Sequence, residues 1–232
     1  GRLWADVGKH PPAVGERTLI LPLLNGVSHI ERLAERFGAQ RVLGGVAQVA
    51  LLVTPAGEIR HFNNIHQLIT GVRHLPAPPE FNALAQVLAS SGFEFILSDD
   101  IGQAMWNKFV FWSALAGATC TLQANIGEIL QTSSGKEFIT GLIDECAEIA
   151  RTAGHALSDA QLETCRGRLT EKDSVLAASM LRDMERGGPT EAEHTLGDLV
   201  ARAEANGIKA HCLRLAYSNM QAYEIRRKKT AG

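Results

Sequence analysis

The sequence predicts an α/β segment followed by an all-α segment, and three observations carry that reading. β-Branched runs punctuated by glycine and proline turns fill the chain up to about Leu97. From Ser98 onward nearly every stretch has apolar residues at three- and four-residue steps, separated by glycine or polar breaks. The 232 residues are 45% hydrophobic and 21% charged, which is ample apolar material for one large domain or two small ones. No repeat or low-complexity tract interrupts them, so the expected domains are 1–97, sheet with a few helices, and 98–232, all helix.

Thr18 to Leu24 is a short apolar run closed by Asn25-Gly26, which fits a buried strand ending in a turn. Ser28 to Phe37 places Ile30, Leu33, Ala34 and Phe37 at helical spacing, with Gly38 where a helix-stopping glycine belongs. Val42 to Val53 reads as a strand, Pro55-Ala56-Gly57 as a turn, Glu58 to Phe62 as the return strand, and Gln67 to Gly71 as a further one. After Pro76, Pro78 and Pro79, helical periodicity resumes over Phe81 to Ser90, and Phe93 to Leu97 is a last short strand. Asp99 or Asp100 caps a helix reaching about Thr119, with Met105, Phe109 and Trp112 on one stripe. Lys136 to Ala153 follows, stopped by Gly154, and Ser158 to Gln161 has the pattern of a capping box. Further helices are expected over Ser174 to Arg186, Thr190 to Ala205 and about Leu213 to Arg227.

Composition excludes several classes. A net charge of −2 gives no electrostatic footprint for nucleic acid, and no apolar window is long enough to span a bilayer. Cys120, Cys146, Cys165 and Cys212 lie far apart without a C-x-x-C pair, the usage of reduced cytoplasmic thiols. The chain opens Gly1-Arg2-Leu3-Trp4, with no methionine and no signal-peptide pattern, so its natural start is expected elsewhere.

Few residues offer chemistry. Lys108 stands among apolar neighbours from Met105 to Trp112. Composition alone favours a lysine whose stem covers apolar surface, but a desolvated ammonium loses pKa and could donate a proton near neutral pH. Glu191, His194 and Asp198 share one face if the stretch from Thr190 is a single helix, which is ordinarily a solvated stripe. The sharper alternative has Glu191 near the helix start orienting a ligand hydroxyl or a lysine. Glu191 to His194 also spells Glu-x-x-His, but the second copy that a metal pair needs, Glu58 to His61, falls in a strand, so no metal is expected. Asn25-Gly26 lies at the end of a strand, where ligands of open α/β sheets bind, although an ordinary turn uses the same dipeptide. G-x-G-x-x-G is absent, and Gly44-Gly45 and Gly187-Gly188 are isolated pairs. Arg226-Arg227-Lys228-Lys229 reads as a frayed, solvated end.

Leu23-Leu24-Asn25-Gly26-Val27, Trp106-Asn107-Lys108-Phe109, Ala178 to Asp183, and Pro189-Thr190-Glu191 with Gly197 resemble, in order and spacing, the ketopantoate reductase family. The resemblance runs from about Thr18 to about Arg227. It implies the second half of a Rossmann-like NADP-binding domain, its glycine fingerprint lying upstream, joined to a helical C-terminal substrate and dimerisation domain. It further implies NADPH-dependent reduction of a 2-oxo acid to a 2-hydroxy acid, as in the conversion of 2-dehydropantoate to pantoate. By the same resemblance Lys108 is the general acid, Glu191 an active-site carboxylate, Asn25 a neighbour of nicotinamide and substrate, and Ser179 a hydroxyl near the substrate carboxylate. The substrate-holding asparagines of the family are matched here by Trp112 and Ala116, and a later one by Ile126, which points to a different 2-oxo acid. An altered family member acting on such an acid, or a non-catalytic binding or dimerisation module, are the alternatives. The implied partners are a small 2-oxo acid and a second copy of the chain, with neither nucleic acid nor membrane.

Overall fold

The computed structural model describes residues 14–54 and 56–230; the opening Gly1 to Trp4 and Pro55 of the expected turn lie outside them. The described residues form two compact units. One holds the segment ending at Leu24 together with His29–Met105, and the other holds Asn25–Ser28 and the chain from Trp106 onward.

The first unit is built on a small sheet. Helix α1 (Ser28–Phe37) buries Ile30 and Leu33, and Gly38 stops it at φ 93. Strands β1 (Gly44–Val53) and β2 (Ile59–Gly71) run antiparallel, and β3 (Glu94–Leu97), which follows helix α2 (Phe81–Ala89), joins β2 in parallel. The two expected strands Glu58 to Phe62 and Gln67 to Gly71 are therefore one. A register shift between Val49 and Leu51 absorbs the extra residues, the signature of a bulge. Thr18 to Leu24 differs more: it makes a single parallel bridge, Ile20 to Val42, and Leu23 and Leu24 are exposed. Pro22 has no N–H to donate, so no continuous ladder can run through this segment. The Gly44-Gly45 pair serves packing. A Cβ on Gly44 would stand 2.5 Å from the Ile101 side chain, and one on Gly45 2.7 Å from that of Leu21.

The second unit is helical throughout. Helix α3 (Ile101–Leu122) begins where Asp100 Oδ1 accepts from the Gln103 N–H at 2.9 Å, and from Trp112 to Cys120 every residue is buried. Such all-round burial marks a central helix. Around it come α4 (Ile126–Leu130), α5 (Gly135–Thr152), α6 (Asp159–Leu169), α7 (Ser179–Glu185), a 3-10 turn (Ala192–His194), α8 (Leu196–Ala205) and α9 (His211–Thr230). Phe109, Ile143, Ile149, Met180, Leu196 and Leu213 are among the fully buried side chains, each worth roughly 1.5–3 kcal/mol against exposure. The Ser158 capping box with Gln161 is present as read.

Three expectations in this region give way. The helix placed over Ser174 to Arg186 starts only at Ser179, because the preceding backbone is committed elsewhere: Ser174 O accepts from Gly127 N and Leu176 O from Ile126 N. The helix placed over Thr190 to Ala205 is broken at Thr195, whose hydroxyl donates to Glu191 O at 2.8 Å, a side-chain bond that competes with helix continuation. The basic end is helical to Thr230 rather than frayed, and Arg227 is paired with Glu224 at 2.8 Å. Basic residues in a last turn face the negative end of the helix dipole.

Candidate active site

Three stretches far apart in sequence meet within the helical unit. The turn Asn25-Gly26 is one, and its geometry demands glycine: Gly26 has φ 85, and a Cβ there would lie 3.1 Å from His194 O. The other two are α3 near Phe109, whose ring lies 3.8 Å from that Cβ position, and the segment Glu191 to Thr195. Asn25 Nδ2 donates to Glu191 Oε1 at 2.8 Å, and Ser28 Oγ to His194 O at 3.5 Å.

Lys108 sits on α3 directly before Phe109. Burial pushes its ammonium below the usual lysine range, and the Glu191 carboxylate partly offsets the shift. Glu191 moves the opposite way: burial raises its carboxyl, the Asn25 hydrogen bond lowers it, the Asp183 charge raises it and Lys108 lowers it. Each member of the pair thus resists charge because it is desolvated and tolerates charge because of its neighbours. An ammonium held in this state releases its proton more readily than a solvated lysine. The arrangement can hold an amide or carbonyl group at Asn25 and Glu191 and protonate an oxygen at Lys108.

The other expected site residues are placed differently. Trp112 and Ala116 continue the Lys108 stripe of α3 at four-residue steps; Trp112 is 9% exposed and Ala116 is fully enclosed. Ser179 is the first residue of α7 and is exposed. The described interactions join Asn25, Lys108 and Glu191, and do not extend to Ser179, Trp112 or Ala116. The one-face reading of Glu191, His194 and Asp198 does not survive the break at Thr195, and Asp198 pairs instead with Arg202 at 2.9 Å. Among the described residues no three His, Cys, Asp or Glu side chains come together as metal ligands.

Asp183, whose charge bears on Glu191, has no role in the sequence reading, although it sits four residues beyond Ser179, one helical turn along the same α7 face. Trp106 escaped that reading too: the His155 ring stacks on it at 5.8 Å and the Arg202 guanidinium lies 5.5 Å from its centroid, fixing α3 one half-turn before Lys108.

A sheet-bearing unit followed by a helical one is the arrangement of proteins with an N-terminal dinucleotide-binding domain and a helical C-terminal domain. Residues 5–73 match the model of the ketopantoate reductase PanE/ApbA family, and residues 100–224 match that of its C-terminal part. The chain belongs to this family. It is 32% identical over 213 residues to the uncharacterized oxidoreductase YkpB of Bacillus subtilis, covering 92% of this chain and 70% of that protein. It is 27% identical over 190 residues to the 2-dehydropantoate 2-reductase of Archaeoglobus fulgidus, covering 82% of this chain and 63% of the relative. The ternary structure of D-mandelate dehydrogenase with NADH and anilino(oxo)acetate shares the fold, with a TM-score of 0.85 at 19% identity, covering 98% of this chain and 74% of that one. The chain thus spans about two thirds of the length of these curated relatives.

Proposed function

We propose that this protein reduces a 2-oxo acid to the 2-hydroxy acid with NADPH, in the manner of 2-dehydropantoate 2-reductase, as a cytoplasmic homodimer. The single observation that carries the reading is the desolvated Lys108 beside Glu191, with the Asn25 amide bonded to that carboxylate at 2.8 Å. Family membership supports it, as do the NADH and oxo-acid analogue bound by the D-mandelate dehydrogenase of the same fold.

The chemistry of the donor set suits a nicotinamide: Asn25 and Glu191 present an amide and a carboxylate side by side, partners for a ring that bears an amide. When bound, the nicotinamide supplies a hydride to the carbonyl carbon of the substrate. The chain's residues manage the charge that results. Lys108 faces the carbonyl oxygen, stabilises the negative charge developing there and gives it a proton. Glu191 keeps enough positive charge on Lys108 for that role, and Asn25 holds the Glu191 carboxylate in place. The exposed Ser179 hydroxyl receives the substrate carboxylate.

One observation favours an acid other than ketopantoate. An indole and a methyl group, Trp112 and Ala116, occupy the two turns of α3 beyond Lys108, and neither can accept a hydrogen bond from a substrate hydroxyl. Buried polar partners discriminate hydroxylated substrates strongly, and their absence removes that discrimination. An acid with an apolar side chain is then the better fit.

The test is NADPH oxidation by the full-length protein against a panel of 2-oxo acids that includes ketopantoate, with Lys108→Ala alongside. Turnover that falls by roughly a hundredfold in the variant is expected, the loss typical of a general acid. Unchanged turnover would remove Lys108 from the mechanism, and oxidation of NADPH with no member of the panel would sink the reading.

A further inference from the structure

Helix α9 grips the loop that carries Glu191 at several points, and the grip is made by side chains. Glu224 Oε1 accepts from both the Thr190 N–H, at 2.7 Å, and the Thr190 hydroxyl, at 2.9 Å. Arg227 donates to the other oxygen of Glu224 through two nitrogens, at 2.8 and 3.0 Å, which fixes the carboxylate in turn. Tyr223 donates its hydroxyl to Gly188 O at 2.8 Å, two residues before Thr190. On the other side of Glu191, Tyr217 donates to Glu193 Oε2 at 2.5 Å. Its phenol lies over Gly197, where a Cβ would stand 2.9 Å from the ring and hydroxyl. Within the loop, the Thr195 hydroxyl closes onto Glu191 O.

Residues 188, 190 and 193, on both sides of Glu191, are thus tied to one rigid helix. The segment between α7 and α8 has only a short 3-10 turn of its own, so these ties supply the order that regular structure does not. We infer that Glu224 is the positioning residue of the site: by clamping Thr190 to α9, it sets where the neighbouring Glu191 carboxylate meets Asn25 and Lys108. The charge-assisted bonds it accepts are of the stronger kind. Displacement of a reacting group by about 1 Å costs up to roughly a hundredfold in rate. The inference rests on the reductase reading for its catalytic consequence, but not for its geometry.

The test uses full-length Glu224→Ala and Glu224→Gln, with thermal unfolding to confirm that each is folded. One readout is turnover: Glu224→Ala should lower kcat about tenfold while KM for the oxo acid changes less than about twofold, and Glu224→Gln, which keeps an acceptor oxygen for Thr190, should recover most of the loss. The second readout needs no turnover. The Glu191 carboxyl, followed by carbon NMR as pH is varied without ligand, should titrate differently in Glu224→Ala and close to normally in Glu224→Gln. An unchanged Glu191 titration in a folded Glu224→Ala would overturn the inference. Should that variant fail to fold, Thr190→Ala, which removes only the hydroxyl donor, is expected to lower kcat about threefold with a matching change in titration, and no effect there would overturn it equally. A protein that turns over no 2-oxo acid but shows the altered titration would lose the reductase reading and keep the positioning role.

Discussion

At the scale of the residue, Lys108 and Glu191 make a statement about pH. Lys108 must be protonated to act as the acid, so the rate should fall as pH rises through its pKa. Burial holds that pKa below the ordinary lysine value, which brings the alkaline limb of kcat/KM to lower pH than a solvated lysine would give. The Glu191 carboxylate acts in the other direction by raising it. Glu191→Gln keeps the size and an acceptor oxygen for Asn25 but deletes the charge, so the alkaline limb should move further down, with kcat at its plateau reduced about tenfold or more. A pH–rate profile of both proteins decides the matter. A limb that stays in place, or moves up, would show that the carboxylate does not act on Lys108 through its charge. Asn25→Ala supplies the complementary case, since it removes the bond that lowers the Glu191 carboxyl.

At the scale of the element, short pieces are ordered by caps and by borrowed partners. Helix α4 has only five residues, too few to be stable by propensity, yet Asn125 and Glu128 close a reciprocal capping box at 2.9 Å in both directions. Its N–H groups at Ile126 and Gly127 bond the backbone before α7. Asn125→Ala should therefore cost about 1 kcal/mol, read as a lowered midpoint of urea unfolding, while kcat stays within about twofold of the parent; Asn125→Asp should restore the midpoint. An unchanged midpoint in Asn125→Ala would mean that the borrowed backbone bonds alone hold the helix. The same element shows what a sequence conveys. Long amphipathic helices such as α5 and the box at Ser158 were legible, because periodicity and capping residues are local signals. Helix α4 was not, since five residues display no period. Nor was the break at Thr195, because whether a threonine hydroxyl turns back on its own backbone depends on what packs around it. Of the site, Lys108, Asn25 and Glu191 were legible as chemistry, whereas Glu224, 33 positions beyond Glu191, had no local pattern to announce it.

At the scale of the whole molecule, the candidate pair and three enclosed thiols belong to the same helical unit, which makes the thiols reporters of its cooperativity. Burial pushes the Cys120 thiol up to about 12 and that of Cys165 to about 11, and raises Cys146 further still. Cys212 is only partly buried, raised by burial and by Glu145, whose carboxylate accepts from the Cys212 and Leu213 N–H groups at 3.0 and 2.8 Å. Thiols whose pKa is higher folded than unfolded stabilise the fold below the ordinary thiol pKa and lose that contribution as pH rises through their folded values. Stability should accordingly decline on the alkaline side from about pH 9, the ordinary thiol value, through about 11 to 12. At pH 8 a thiol reagent can reach Cys120, Cys146 and Cys165 only when the unit opens, because the reactive species is the exposed thiolate. If α3, α5 and α6 open together, the three should label at one common rate, with Cys212 ahead of them. Three separate rates, resolved by peptide mapping, would show that the helices open independently and that the unit is not one cooperative body. Saturating NADPH in the full-length protein should then slow all three by the same factor, since a ligand that binds only the folded state stabilises everything that unfolds with it. Slowing at Cys120 alone would confine the effect of the cofactor to α3, and the common factor would be lost.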